Sequence, residues 1–165
     1  MRGTAIILVG GTGAGKTTLC KRLLARVHPS RHLIYDVNGE YYDPNETALP
    51  AIDAFLEEAQ RARERVIVFE ESTIFFNNRG RNDQMTDILV RKRHTRNVII
   101  MAFHSIRAIP HYIFDLVNYV YVLKTNDTAD LLRTKHGVLL PAFLEVQKMP
   151  PTKYPRITAK LVKLN

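Results

Sequence analysis

Residues 10–17 read GGTGAGKT, and the fold follows from how this stretch is read. Its spacing is G-x-x-x-x-G-K-T. The apolar run TAIILVG (4–10) leads into it, and KTTLCKRLLARV (16–27), with apolar residues at helical spacing, leads out. A glycine-rich turn between a strand and a helix is the context in which this spacing cradles a triphosphate. Gly10, Gly11, Gly13 and Gly15 loosen the backbone, so that the N–H groups of the loop, Thr12 and Ala14 included, turn inward as an anion-binding nest. The helix opening near Lys16 adds its positive end. Lys16 is expected to reach the β- and γ-phosphates, Thr17 to offer its hydroxyl to Mg²⁺, and Thr18 to contact the α-phosphate.

The second informative stretch is VIVFEEST at 66–73. Two adjacent carboxylates close an apolar strand, and two like charges are awkward to bury. In parallel α/β sheets ligands sit beyond the carboxyl ends of the strands. If the third run lies beside the first, Glu70 falls near the metal. A cation there favours both carboxylates in their ionised form. Glu70 is then expected to hold Mg²⁺ through water, and Glu71 to orient or deprotonate an attacking water.

Further β-like runs occur at 32–37 (HLIYDV), 97–103 (NVIIMAF) and 119–124 (YVYVLK). They are nearly continuous in apolar residues, as in strands covered on both faces. Between them, 50–64, 83–94 and 110–117 carry helical spacing, with Pro50 and Pro110 suited to first turns. The alternation predicts an α/β three-layer sandwich, a mostly parallel five-stranded core sheet with helices on both faces. Segment 38–49 reads as a polar loop, and Asp36 and Glu40 read as caps of the loop after the second strand. Tyr35, Tyr41 and Tyr42 read as packing residues. Beyond 124, TNDTADLLRTKHG reads as an Asp-capped helix with a Gly stop, MPPTKYPR as a connector and ITAKLVKL as a terminal strand.

With 165 residues, the chain reads as a single domain, 1–165, its core at about 4–127 and an extension at about 128–165. No apolar run approaches the roughly 18–20 residues that span a bilayer, and the N-terminus is too short and Gly-rich for a signal peptide. Cys20, the single cysteine, has no internal disulfide partner and reads as core. A cytoplasmic location is therefore expected. The formal net charge is +8, which favours polyanions. Its densest stretch, 79–107, holds Arg79, Arg81, Arg91, Lys92, Arg93, Arg96 and Arg107 against Asp83 and Asp87.

These residues together resemble the HerA/FtsK superfamily of DNA-pumping motors, which includes viral genome-packaging ATPases and the Zot-like proteins of filamentous phages. These belong to the additional-strand, catalytic-glutamate group of P-loop ATPases. IYDVNGEYY (34–42) resembles the family's turn after the second strand. RKRHTRNVIIMAFHS (91–105) resembles its arginine-bearing helix end, fourth strand and sensor tip. FDLVNYVYVLKTND (114–127) resembles its fifth strand and exit. The likeness covers about residues 4–127. Two departures stand out. Glu70 takes the place of the usual Asp, and the fourth strand ends in Phe103-His104-Ser105 where Gln is usual.

The resemblance implies a Mg-ATP-hydrolysing motor that translocates or packages double-stranded DNA. It further implies a homo-oligomeric ring, expected to be a hexamer, serving a viral portal or a capsid or membrane vertex without membrane insertion of its own. His104, at the family's spacing from Arg93, is the implied sensor, with Ser105 as fallback. Arg93 and Arg96, then Arg79, are the candidates for an arginine given to a neighbour's γ-phosphate. Such a finger is worth roughly 10³–10⁵ in rate in other NTPases. Arg107 and loop 77–82 (NNRGRN) are candidates for contacts with DNA phosphates. Two rival readings remain. One is a small nucleotide or metabolite kinase with 77–82 as its lid; the other is an assembly protein that binds nucleotide without turnover.

Overall fold

The computed structural model describes residues 3–41, 50–76, 79–149 and 160–164. Five parallel strands follow the apolar runs: β1 (Thr4–Val9), β2 (His32–Tyr35), β3 (Val66–Phe69), β4 (Val98–Phe103) and β5 (Tyr119–Val122). A sixth, β6 (Lys160–Lys163), pairs antiparallel with β5 at the sheet's edge. The order across the sheet is β2-β3-β4-β1-β5-β6. The third run therefore does not lie beside the first. β4 is inserted between them, in register with β1 from Thr4↔Val98 to Val9↔Phe103 and with β3 from Val66↔Val98.

The helices are α1 (Lys16–Leu24), α2 (Ile52–Arg61), α3 (Thr73–Phe76), α4 (Arg79–Thr95), α5 (Ala129–Lys135) and α6 (Leu140–Lys148). Strand side chains alternate between two apolar layers, as the pleat dictates. Ile7, Val9, Ile67, Phe69, Ile99, Met101 and Phe103 meet the buried faces of α2, α4 and α6 through Phe55, Leu56, Met85, Leu89 and Phe143. Leu8, Val66, Val68 and Ile100 point the other way, onto Cys20 and Leu24 of α1. Cys20 is buried among them, and burial pushes its thiol up to about 11. Helices on both faces are thus observed, with α1 alone among the described helices on the second cluster.

Three local expectations change. Segment 110–117 forms a five-residue 3₁₀ turn, His111–Asp115; Asn118 already bonds the start of β1, leaving no length for a longer helix. The helix after β5 is capped by Thr128, whose hydroxyl accepts from the Leu131 N–H, not by Asp127. Gly137 opens a 3₁₀ turn, Gly137–Leu139, which leads into α6. Helix α6 itself went unread in LPAFLEVQK, although Ala142, Phe143 and Val146 form its buried face and Pro141 sits in its first turn. Leu132, Leu139, Ala142 and Phe143 join the same core as the strands. Tyr42 and most of the connector MPPTKYPR lie outside the described residues.

Candidate nucleotide and metal site

All five parallel strands end at one edge, and the loops leaving that edge build the site. Gly13 and Gly15 have φ of 73° and 95°, the left-handed region that a side chain disfavours. At Gly10 the reason for glycine is space: an added Cβ would stand 2.7 Å from Cβ of Leu123. The loop is anchored by N–H bonds from Gly10 to the Phe103 carbonyl (3.1 Å) and from Gly11 to the Lys124 carbonyl (2.7 Å). Gly15 caps α1 without any side-chain bond, so the first-turn amides remain directed at whatever the loop encloses.

The Lys16 ammonium donates to the carbonyls of Gly10 (2.7 Å) and Gly11 (3.1 Å) and lies 3.4 Å from Nδ1 of His104. Burial draws its pKa below the ordinary lysine value, although the carboxylates of Glu71, Glu70 and Glu40 pull the other way. His104 Nε2 lies 2.6 Å from Oε2 of Glu71. A carboxylate only accepts and an ammonium only donates. The partners therefore assign the neutral tautomer, with Nε2–H donating to Glu71 and Nδ1 accepting from Lys16. His104, not Ser105, is the member of the strand tip that joins the two. The inserted strand makes this possible, because its tip stands between the phosphate loop of β1 and the acidic end of β3.

The other half of the pair faces α1. The Thr17 hydroxyl donates to Oε1 of Glu70 at 3.4 Å. Glu70 is buried, and its Oε2 has no hydrogen-bond partner among the described residues. Burial, then the facing Asp36 carboxyl and Glu40, push it up to about 7. A buried carboxyl with an orphaned oxygen beside a threonine hydroxyl fits Mg²⁺. That ion commonly takes one or two carboxylates and fills its remaining positions with phosphate oxygens and water. No cluster of three metal-ligating His, Cys, Asp or Glu side chains occurs among the described residues. Thr17 and Glu70 are the residues that would hold the ion, and it would neutralise phosphate charge there. The longer Glu70, where Asp is usual in the resembling family, still reaches Thr17.

Asp36 caps its loop as expected, accepting from the N–H groups of Glu40 (2.9 Å) and Tyr41 (2.8 Å). Tyr35 packs edge-on against Phe55 and Phe75. Thr18 is exposed on α1. Two supporting residues, Ser72 and Asp127, were missed in the sequence. Ser72, fully buried, donates to the Phe69 carbonyl (2.8 Å), and its N–H bonds the Ala102 carbonyl (3.0 Å), fixing the turn that aims Glu71. Asp127 accepts from the Ile106 N–H (2.7 Å) and from the Thr125 hydroxyl, tying the segment after His104 to the exit of β5. Tyr41 lays its ring near Lys21 of α1. The hydroxyls in VIVFEEST were visible as a signal for Ser72; nothing local marked Asp127. A cleft of about 390 Å³ opens beside the loop, lined among others by Thr12, His104, Arg107 and Asp127.

The arginines fall elsewhere. Arg93 and Arg96 lie at the opposite edge, where β1 and β4 begin. The Arg96 guanidinium pairs with Glu64 at 3.1 Å. Neither reaches the phosphate loop of its own chain. Arg79 opens α4, and Arg81 pairs with Asp53 at 3.0 Å. Residues 79–82 are helical, which corrects the reading of 77–82 as one turn or lid; 77 and 78 lie outside the described residues.

A match to the protein family described as ABC transporter spans residues 1–134. Among solved structures, the chain is similar to the genome packaging NTPase B204 of Sulfolobus turreted icosahedral virus 2 in complex with AMPPCP. The TM-score is 0.69 at 15% identity, covering 90% of this chain and 88% of that one. B204 of Sulfolobus turreted icosahedral virus, described as a DNA-packaging ATPase, gives 0.70 at 14% identity, covering 90% and 89%. A KaiC-like protein of Pyrococcus horikoshii gives 0.51 at 16% identity, covering 77% and 75%. No curated protein matches. At these identities the structural likeness establishes the fold, an α/β P-loop NTPase sandwich.

Proposed function

From the premise that this chain belongs to the ABC transporter family, whose match spans its phosphate loop and both glutamates, we propose that it hydrolyses Mg-ATP to drive double-stranded DNA. It works as a genome-packaging motor of the HerA/FtsK type. One observation carries the reading: Glu71, His104 and Lys16 form a continuous chain, at 2.6 and 3.4 Å, around the place where a γ-phosphate meets the loop. Glu71 is a base at the mouth of the site, suited to accept a proton from water as the water oxygen bonds the γ-phosphorus and the bridging oxygen leaves with ADP. Lys16 follows the phosphate charge, and His104 registers its presence by giving up Lys16 to it.

The family's description speaks of transport. The likeness to two packaging ATPases over nearly the whole chain favours DNA as the cargo. The motor is a ring of copies of this chain, a hexamer, at a portal or capsid vertex, in the host cytoplasm or on the virion. A neighbour supplies Arg93 or Arg96 to complete each site. Residues 79–82 continue into α4.

The test is ATP hydrolysis by the purified chain with and without duplex DNA, beside Glu71→Gln. The expected outcome is DNA-stimulated turnover that drops at least ~100-fold in the variant, as for loss of a general base. Turnover that needs a small phosphate acceptor and ignores DNA would establish a kinase instead. Tight nucleotide binding with no hydrolysis would leave an assembly protein.

A further inference from the structure

Charge is distributed unevenly between the two ends of the sheet. The phosphate edge carries Asp36, Glu40, Glu70, Glu71 and Asp127 around Lys16. At the other end, the end of α2 and the turn entering β3 hold Arg61, Arg63 and Arg65, and the end of α4 and the turn entering β4 hold Arg91, Arg93 and Arg96, all exposed. These two turns are one rigid shelf. The Asn97 side chain, buried, accepts from the Arg65 N–H (3.0 Å) and donates to the Ala62 carbonyl (2.9 Å); the Glu64 N–H bonds the Thr95 carbonyl (2.9 Å). Arg61, Arg63 and Arg91 converge on an open cleft of about 400 Å³. Arg61 and Arg91 lean on Glu57 and Asp87, while Arg63 has no carboxylate at ion-pair distance among the described residues.

The backbone adds an independent sign. The non-glycine residues with positive φ among those described are Glu64 (52°) and Arg96 (56°), and they face each other across this shelf. Glycine or asparagine would sit there with less strain. The two residues pair with one another at 3.1 Å, so the strained turns are held together by an ion pair at the rim of the shelf.

We infer that this shelf is the docking surface for the phosphate backbone of duplex DNA, with Arg61, Arg63 and Arg91 as its contacts. The inference rests on the motor reading only for the identity of the polyanion. Planar guanidiniums suit phosphate oxygens in pairs. The shelf carries no Phe, Tyr or Trp, and His94 is its single ring, so it offers no row of aromatic platforms for the stacked bases of a single strand. The carboxylates of Asp36, Glu70, Glu71 and Asp127 make the phosphate edge, Arg107 apart, a less favourable surface for the same polymer than the arginine shelf. Binding of this kind is independent of sequence and releases counterions.

The experiment is anisotropy of a labelled mixed-sequence duplex over a series of salt concentrations. It compares the full chain with Arg61→Ala/Arg63→Ala/Arg91→Ala, with folding checked by thermal melting. The slope of log affinity against log salt is expected to become shallower by about two to three, at ~0.9 for each DNA phosphate that the variant leaves unneutralised. The corresponding triple lysine variant recovers the slope, and DNA-free hydrolysis is unchanged. An unchanged slope and affinity would overturn the inference. So would loss confined to anionic phospholipid vesicles, which would make the shelf a membrane surface, or loss of DNA-free hydrolysis, which would place these arginines at a neighbour's nucleotide. A native chain that binds duplex through these arginines without hydrolysing ATP removes the motor and keeps the shelf. Hydrolysis stimulated equally by DNA in the triple variant keeps the motor and removes the shelf.

Discussion

At the scale of single residues, His136 is a buried titratable group that the site does not use. It stacks on His111 (ring centroids 5.7 Å apart) and on Phe114 (4.6 Å). Burial, then His111 and Lys135, draw its pKa below 6.5, with Asp127 opposing. The folded state therefore binds fewer protons than the unfolded one as pH falls below 6.5, and stability is lost on acidification. Glu70, pushed up to about 7, gains its proton over the same range and acts in the opposite sense, so the effect is read as a difference: between pH 7 and 5.5 the melting temperature of the native chain should fall relative to that of His136→Gln, and an unchanged difference would place the acid sensitivity elsewhere. The chemical residues were more legible than this one. Lys16 and Thr17 sit at fixed positions of a motif, and Glu71 follows directly on a strand. The roles of Ser72, Asp127 and His136 depend on partners distant in sequence, so no local pattern announces them.

At the scale of elements, the strands were legible because doubly covered strands must be apolar on both faces, and β1, β3 and β4 are. Short elements were not. Five residues at 111–115 cannot complete two helical turns, so their apolar spacing fits a 3₁₀ turn equally well. How elements meet appears in places that composition hides. A Cβ on Gly3 would collide with the Lys92 carbonyl oxygen and with the Arg93 backbone. The start of β1 thus passes directly against the end of α4. Gly3→Ala should force these two elements apart and cost about 1–3 kcal/mol, as overpacking does, read as a lowered midpoint in urea. A neutral result would show that α4 yields at its last turn. Nearby, Lys92 is buried and donates to the carbonyls of Leu89 (3.2 Å) and Leu116 (2.8 Å). One member of the sequence's basic run is therefore a structural clamp and not surface charge.

At the scale of the whole molecule, Arg93 and Arg96 stand on the edge away from the phosphate loop, so any action on a γ-phosphate requires a second copy. Mixing Arg93→Ala subunits, which keep Glu71, with Glu71→Gln subunits, which keep Arg93, should restore part of the hydrolysis at intermediate ratios. No restoration at any ratio would count against a shared site. By itself the sequence determined the phosphate loop, the alternation of strands and helices, and the acidic pair at the end of β3. Each of these is a local pattern, written in neighbouring residues by backbone freedom, apolar periodicity and charge. Only the tertiary structure decided that β4 enters between β1 and β3, bringing His104 to both Lys16 and Glu71. It alone divided the charge, acids at the carboxyl ends of the strands and exposed arginines at their starts. Strand order and the sorting of charge are set by which buried faces fit together across distant segments, and no single stretch of sequence carries that information.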